Sequence, residues 1–378
     1  MKFIILKENL NKGLNIVSRV TGKNSTLPIL NNILIDAQKN FLNLSATDLE
    51  LGIKYWSLIK TEKEGKITIP AKILSSFINL LPEDKIYFEL KNQIFNINCQ
   101  SYQTKIKGLS AEDFPIIPKI ENNNFIQLDC QTFCKGLSQV VDFASQNQTT
   151  KPELSGVYLN FGKDTLSLTT TDSFRLAEKI LFFEEKNNQE LSLIIPQRSV
   201  REIINILSEK EGKLRFYFST HQVLFEYFMS ETDHPEIQLI SRLIDGDYPD
   251  YQEIIPKKYE IQTLLSKEDF LNHVKTASIF SGKTNEIKII VKKDGIEILS
   301  QNPEFGENKS FLSAQVKYAS VGIKEMEVSF NYRFLIDGLL NIKGPEVIFE
   351  LNGEGGPAVL KPKDDTSYIY IVMPIKST

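Results

Sequence analysis

The sequence predicts an α+β protein built from three repeated units, each setting two helices against antiparallel sheets. Two observations carry this prediction. First, residues 42–48 read Leu42-Asn43-Leu44-Ser45-Ala46-Thr47-Asp48, and residues 166–172 read Leu166-Ser167-Leu168-Thr169-Thr170-Thr171-Asp172. A worn third copy reads Ile296-Glu297-Ile298-Leu299-Ser300-Gln301-Asn302. The Thr-Asp ends of the first two copies stand about a third of the 378-residue chain apart, which is the signature of an architecture made by repetition. Second, the other landmarks recur in the same order. Ile67–Pro70, a helical stretch at 71–81 and Lys85–Leu90 are matched by Leu193–Pro196, Val200–Leu207 and Leu214–Phe218. They are matched again by Val328–Asn331, Phe334–Leu340 and Val347–Leu351.

The elements follow in order. Leu10, Leu14 and Val17 recur at helical spacing, and Thr21-Gly22 ends that helix. The helix at 71–81 is started by Pro70 and stopped by Pro82. Phe133, Leu137, Val140 and Val141 mark a helix within 129–145, and Val200, Ile203, Ile204 and Leu207 mark another. The last third places helices near 266–281 and 332–342. Phe41–Ser45, Gly156–Phe161, Thr165–Thr169 and Ile287–Val291 read as half-buried antiparallel strands. The proline-bearing stretches 113–120 and 247–256 read as edge segments or linkers, because proline lacks an amide donor and has a fixed φ. Domains at 1–122, 123–254 and 255–378 follow, each large enough to hold its own core.

Composition narrows the class. Apolar content of 41% and charged content of 24% are ordinary for a globular protein, and the net charge is −4. The N-terminal apolar run stops at Leu6, too short for a signal-peptide core, and no stretch approaches a membrane span. Three cysteines, Cys99, Cys130 and Cys134, argue against a disulfide framework and for a reducing compartment, so a cytoplasmic location is expected. Counted over 7–23, 70–81, 129–145, 197–213, 266–283 and 331–343, the helical segments carry about +6, leaving about −10 elsewhere. One surface is thus expected to face a polyanion while the rest repels it.

Catalytic signatures are missing. There is no phosphate-binding glycine loop, dinucleotide fingerprint or nucleophile elbow. His221, His234 and His273 have no ligand spacing, and Cys130 and Cys134 read as core residues one helical turn apart. Asp48 and Glu50 could form a carboxylate pair. A turn role for Asp48 and its counterpart Asp172 is more economical. No catalytic residue, metal or cofactor is expected.

At this point the chain resembles the bacterial DNA polymerase III beta subunits, the sliding-clamp family. The resemblance rests on Leu27–Asn32, Ser45–Glu50, Thr171–Ala177, Leu243–Tyr251 and Tyr370–Ile375, and spans the whole chain. It implies three clamp domains per subunit and a head-to-tail homodimeric ring of six. Twelve helices packed about 8–10 Å apart would line a hole roughly 20–28 Å wide, enough for duplex DNA. The family implies sequence-independent binding of double-stranded DNA, with the replicative DNA polymerase alpha-type subunit, the clamp loader and other clamp-binding-motif proteins as partners. It also implies a partner-peptide pocket at Leu154, Thr171, Ser173, Phe174, Arg175, Leu176, Pro249, Ile254, Asn331, Phe334, Ile371, Val372, Met373, Pro374 and Ile375. There Arg175 and Asn331 would orient the peptide backbone. Phe174 stands where the family often has histidine and Phe334 where tyrosine is common, so peptide preference is expected to shift. DNA contacts map to Lys23, Asn24, Gln148, Lys151 and Arg198, with Asn24 replacing an arginine, and the dimer contact maps to Ile106, Ile279 and Phe280. Two rivals are a carboxylate-dependent nuclease using Asp48, Glu50 and Asp172, and a peptide-binding scaffold that does not encircle DNA.

Overall fold

A computed structural model of the chain describes residues 1–22, 27–120, 124–147, 149–183, 190–320 and 325–375. Each third has two α-helices. These are α1 (Lys7–Val17) and α2 (Ala71–Leu80), α3 (Cys130–Val140) and α4 (Gln197–Leu207), α5 (Lys267–Ile279) and α6 (Tyr332–Asn341). The strand–helix–strand order recurs as expected: Gly65–Pro70, α2, Lys85–Lys91; then Leu191–Pro196, α4, Lys213–Phe218; then Met326–Asn331, α6, Glu346–Leu351. The buried faces are those the apolar spacing marks: Leu10, Leu14 and Val17 in α1, and Val200, Ile203 and Leu207 in α4.

The helices are shorter than their apolar patterns suggest. α1 gives way to a tighter turn over Ser18–Val20, and α3 to another over Val141–Phe143. The charge reading changes with the bounds. One net positive charge remains on each of α1 to α4 and none on α5 or α6. Several of these cations are already paired. Lys7 meets Glu83 at 2.6 Å and Lys12 meets Glu236 at 2.6 Å. The helical surface is therefore less cationic than the sequence count implies.

The chain divides into two compact bodies. The first holds Met1–Cys134 and Arg198–Leu243, the second Lys135–Gln197 and Ile244–Thr378. The central third thus contributes to both, and the bodies do not follow the boundaries near 122 and 254. The reason is strand pairing. In the first body an eight-stranded antiparallel sheet joins Pro235–Arg242 to Leu51–Leu58, with Ile237 opposite Tyr55 and Ser241 opposite Leu51. In the second a nine-stranded sheet joins Arg175–Phe182 to Tyr368–Val372, with Arg175 opposite Val372 and Lys179 opposite Tyr368. Each body also carries a smaller sheet. That of the first has five strands and ends at Tyr102–Lys107; that of the second has four and ends at Gly306–Ser313.

The proline-bearing stretches are not linkers. Phe114 and Ile117 are buried against Leu224 and Ile240 in the first body. In the second, Tyr251 is buried with Leu176, Val359 and Ile371, flanked by Tyr248 and Ile255. Proline excludes these segments from the ladders, but the apolar side chains between the prolines still seek the core. They are straps laid over the sheets.

The repeated Thr-Asp pairs prove to be one turn built twice. Asp48 accepts from the amides of Glu50 and Leu51 at 3.1 and 2.8 Å, and Asp172 from those of Phe174 and Arg175, both at 3.0 Å. Thr47 and Thr171 donate to the carbonyls of Leu51 and Arg175 at 3.1 and 2.7 Å. Leu49 and Ser173, between them, both take a φ of 77°. This left-handed conformation is costly without glycine, and the side-chain bonds on either side hold it. The carboxylates are thus committed to their own backbone, which removes the motive for the nuclease reading.

Two helix glycines mark close approaches. A Cβ on Gly13 of α1 would lie 2.4 Å from the Tyr55 ring, and one on Gly338 of α6 would lie 2.4 Å from the Tyr370 ring. Both rings are buried and have no room to yield. Gly338→Ala is expected to cost about 1–3 kcal/mol through overpacking, against a helix-propensity gain of about 1 kcal/mol. A lowered Tm in thermal unfolding is the expected result; an unchanged or raised Tm would refute the close approach.

Candidate functional site

The residues assigned to a peptide pocket all lie in the second body. Its centre is the turn Thr171–Arg175 beside the C-terminal segment. The edge amide of Met373 donates to the Phe174 carbonyl at 2.8 Å, and that of Ile375 to the Ser329 carbonyl at 2.8 Å. These two bonds pin the segment 373–375, leaving Met373, Pro374 and Ile375 half-exposed. Phe174 is 61% exposed at the tip of the turn. Its ring lies 6.4 Å from that of Phe334, one turn into α6.

Arg175 ties these parts together. Its Nε donates to Asp172 at 2.9 Å and its Nη1 to Asp337 at 2.5 Å. Its guanidinium lies 4.6 Å from the Phe334 ring centre and 5.2 Å from that of Phe143. Burial works against this charge, but Tyr370, Asp337 and Asp172 outweigh it and raise the guanidinium further above its ordinary value. Asn331 caps α6, accepting from the Arg333 amide at 3.0 Å. Both residues expected to orient a peptide are therefore already holding the fold.

Other assigned residues sit below the surface. Leu154, Leu176, Ile371 and Val372 are buried, and Thr171 nearly so. They form the floor and the core beneath it, so Leu176, Ile371 and Val372 serve as core residues. Pro249 and Ile254 are exposed on the strap above the Leu176–Ile371 cluster. The exposed face is thus Phe174, Met373, Pro374, Ile375 and part of Phe334. Asp337, Phe143 and Tyr370 complete the site and were not legible as members. Nothing in the spacing of Asp337 announces a partner 162 residues earlier in the chain.

A buried carboxylate lies beside this floor. Burial pushes Glu178 above the usual carboxylate range, while a hydrogen bond from the Tyr251 hydroxyl at 2.5 Å partly offsets it. A carboxyl whose folded pKa is raised stabilises the fold at low pH and loses that contribution as pH rises through the folded value. Glu178→Gln keeps an acceptor for Tyr251 and removes the charge. It is expected to raise Tm at about pH 7, with the gain shrinking toward about pH 4. Parallel melting curves across pH check this, and a gain that does not vary with pH would contradict it.

The remaining assignments fare unevenly. Lys23, Asn24 and Gln148 lie outside the described residues. Lys151 is exposed before the turn Pro152–Ser155. Arg198, at the start of α4, is engaged by Asp48 and lies 3.8 Å from Glu50, so its charge is partly spent within the first body. Ile106 is only 6% exposed, because strand alternation turns it into the core beside Phe95, so its side chain is no surface contact. Ile279, by contrast, is 70% exposed at the last position of α5, with Phe280 half-buried after it.

The first body contains the same junction with different chemistry. The Arg242 amide donates to the Glu50 carbonyl at 2.9 Å, the counterpart of Met373 and Phe174. Glu50 and Arg242 replace the two apolar side chains. The first-body junction sets these charged groups beside the exposed Leu49 and Ile116, whereas the second-body junction puts apolar side chains at both positions.

Turns locked by their own backbone and a pinned apolar tail define a partly exposed apolar surface rather than a cluster of reactive groups. Comparison with known proteins specifies the family. Three family models match in succession: the N-terminal domain of the DNA polymerase III beta subunit over residues 1–118, the central domain over 127–250 and the C-terminal domain over 252–376. The beta sliding clamps of Staphylococcus epidermidis and Staphylococcus aureus are each 28% identical over the whole of both chains. A crystal structure of the DNA polymerase sliding clamp from Bacillus subtilis is 26% identical with a TM-score of 0.92, again covering both chains fully. The DNA polymerase III beta subunit of Thermotoga maritima, at 23% identity and a TM-score of 0.90, shares the fold over the full length. The chain belongs to the bacterial DNA polymerase III beta subunit family and is a DNA sliding clamp, a processivity factor that works with DNA, a polymerase and a further copy of itself.

Proposed function

We propose that two copies close head to tail into a six-domain ring around duplex DNA, and that the Phe174–Met373 surface takes short extended peptides from its partners. The single observation that carries the ring is the pair of open sheet edges. The five-stranded sheet ends at Tyr102–Lys107 and the four-stranded sheet at Gly306–Ser313, each with one side unpaired within the described residues. Exposed edges invite pairing. Joining one to the other between copies would make a sheet of about the size of the two internal ones. The first edge is basic, with Lys105 and Lys107, while the second carries Glu307 with Glu304 before it, its one cation, Lys309, being paired with Glu297 on the neighbouring strand. Large exposed apolar side chains lie on both edges, Tyr102 on the first and Phe311 on the second, and Ile279 ends α5, which packs on Gly306–Ser313.

In this reading the domains are 1–122, 123–254 and 255–378. The DNA-facing positions are Lys23, Asn24, Gln148, Lys151 and Arg198. Their sparse charge suits a ring that slides, since linkage rather than phosphate grip retains the duplex. The partners are the replicative polymerase alpha-type subunit, the clamp loader and other proteins bearing a clamp-binding motif, and the setting is the cytoplasm. No described helix is long and apolar enough to cross a membrane.

The test is retention. Protein loaded on nicked circular DNA should stay bound through gel filtration and fall off when the circle is linearised. Equal retention on both forms, or on neither, would favour a scaffold that does not encircle DNA. For the peptide surface, Met373→Ala is expected to weaken binding of a polymerase C-terminal peptide about tenfold, from loss of a buried thioether, with the dimer intact. Unchanged affinity in a fluorescence-anisotropy titration would refute the assignment.

A further inference from the structure

A cavity of about 620 Å³ opens on the first body, remote in sequence from the peptide surface. That size is ordinary for a small-molecule site. Its floor is a cross-strand row on the eight-stranded sheet: Arg215 opposite Glu226, Glu226 opposite Gln238, and Gln238 opposite Lys54. The strap residues Pro118, Lys119 and Ile120, with Phe125, form one side, and Trp56 and His234 form another. The walls are flat rings. His234 packs 5.6 Å from Trp56 and 4.1 Å from Phe41, and Phe125 lies 5.6 Å from Tyr217.

The charge in this cavity is unbalanced. Glu226, the one carboxylate lining it, accepts from Gln238 Nε2 at 2.6 Å and from the Tyr217 hydroxyl at 3.1 Å, so neutral donors occupy both its oxygens. Arg215 is held between rings, 4.9 Å from Phe125 and 4.1 Å from Phe228. Lys54 is half-buried and pairs with no carboxylate among the described residues, and the charge it feels is another cation, Lys119. Burial first, and Lys119 second, push the Lys54 ammonium below its ordinary value. Elsewhere on the same sheet the exposed Lys66 has its partner, Asp36, at 2.9 Å. A more buried lysine without one is a costly arrangement that an incoming anion relieves.

We propose that this cavity binds a nucleotide, with the base against the Trp56 and His234 wall and the phosphate between Lys54 and Lys119. Aromatic faces accept any base by stacking, and the paired ammonium groups supply the counter-charge.

Trp56 is the one tryptophan of the chain, so its fluorescence reports the site directly. The full-length protein is titrated with deoxyadenosine monophosphate, deoxyadenosine, inorganic phosphate and a short acidic peptide containing phenylalanine. Saturable quenching by the nucleotide is expected, with deoxyadenosine and phosphate each at least about tenfold weaker. Lys54→Gln and Lys119→Gln should each weaken nucleotide binding about tenfold, with steeper loss in the double variant. Lys54→Gln should also keep or raise Tm, since it removes an unpaired buried charge; Lys119 is exposed, so Lys119→Gln provides a second variant if the first does not fold. Absence of saturable quenching, equal affinity in the lysine variants, or tighter binding of the peptide than of the nucleotide would overturn the proposal.

Discussion

Ile279→Asp is expected to leave a folded monomer that no longer stays on circular DNA. Ile279 ends α5 with most of its side chain in solvent, and nothing in its own chain requires an isoleucine there. Burying it in a subunit contact is worth about 1.5–3 kcal/mol, and an aspartate in its place adds the cost of desolvating a charge. A head-to-tail ring of two copies has two identical interfaces, so the substitution acts twice. A loss of about 3 kcal/mol at each amounts to roughly ten-thousand-fold in the dimer constant. Sedimentation at micromolar concentration should show half the mass, with an unchanged far-ultraviolet spectrum. A dimer of undiminished stability would remove Ile279 from the interface. The same experiment on Ile106 should look different. That side chain is buried within its own chain, so Ile106→Asp should lower Tm rather than selectively split the dimer.

Arg175→Ala is expected to damage both stability and peptide binding. The guanidinium is the common partner of Asp172 and Asp337 and lies over two aromatic rings. Its removal leaves two carboxylates facing one another with no cation between them. For a fully buried pair that costs about 3–5 kcal/mol; Asp337 is half in water, so about 2 kcal/mol is the fitting figure. Phe334 also loses its cation–π contact, freeing the ring that Phe174 packs near. The expected outcome is a lower Tm together with peptide affinity reduced about tenfold. Arg175→Lys should recover part of the Tm and little of the affinity, because an ammonium cannot reproduce the two-pronged, stacked geometry. Full recovery by lysine would mean that charge alone matters here.

The three-fold repeat, the order of its elements and the turn role of Asp48 and Asp172 were legible in the chain because each is a local pattern. Periodicity places helices, and a Thr-Asp pair before a strand implies its own hydrogen bonds. The straps misled because proline speaks only about the backbone. Pro115 and Pro118 rule out a ladder, yet Phe114 and Ile117 beside them obey burial. Of the proposed peptide surface, the exposed members were legible and the groups behind them were not. The pinned Met373-Pro374 tail and exposed Phe174 are sequence neighbours of recognisable motifs. Asp337 was not, since its role depends on Arg175 reaching it across the fold. The same distance effect hid the pairing of Arg198 with Asp48, and so overstated the positive charge free to meet DNA.

The splitting of the central third between two bodies sets an order of events at the ribosome. Leu51–Leu58, paired at once with Phe41–Thr47, gains its second neighbour only when Pro235–Arg242 has been made, and Arg175–Phe182, paired at once with Thr165–Thr171, gains its second only with Tyr368–Val372. Neither large sheet can close early, so a nascent chain holds an open strand edge in each until the distant partner is made. A late closing step for each large sheet is built into this topology.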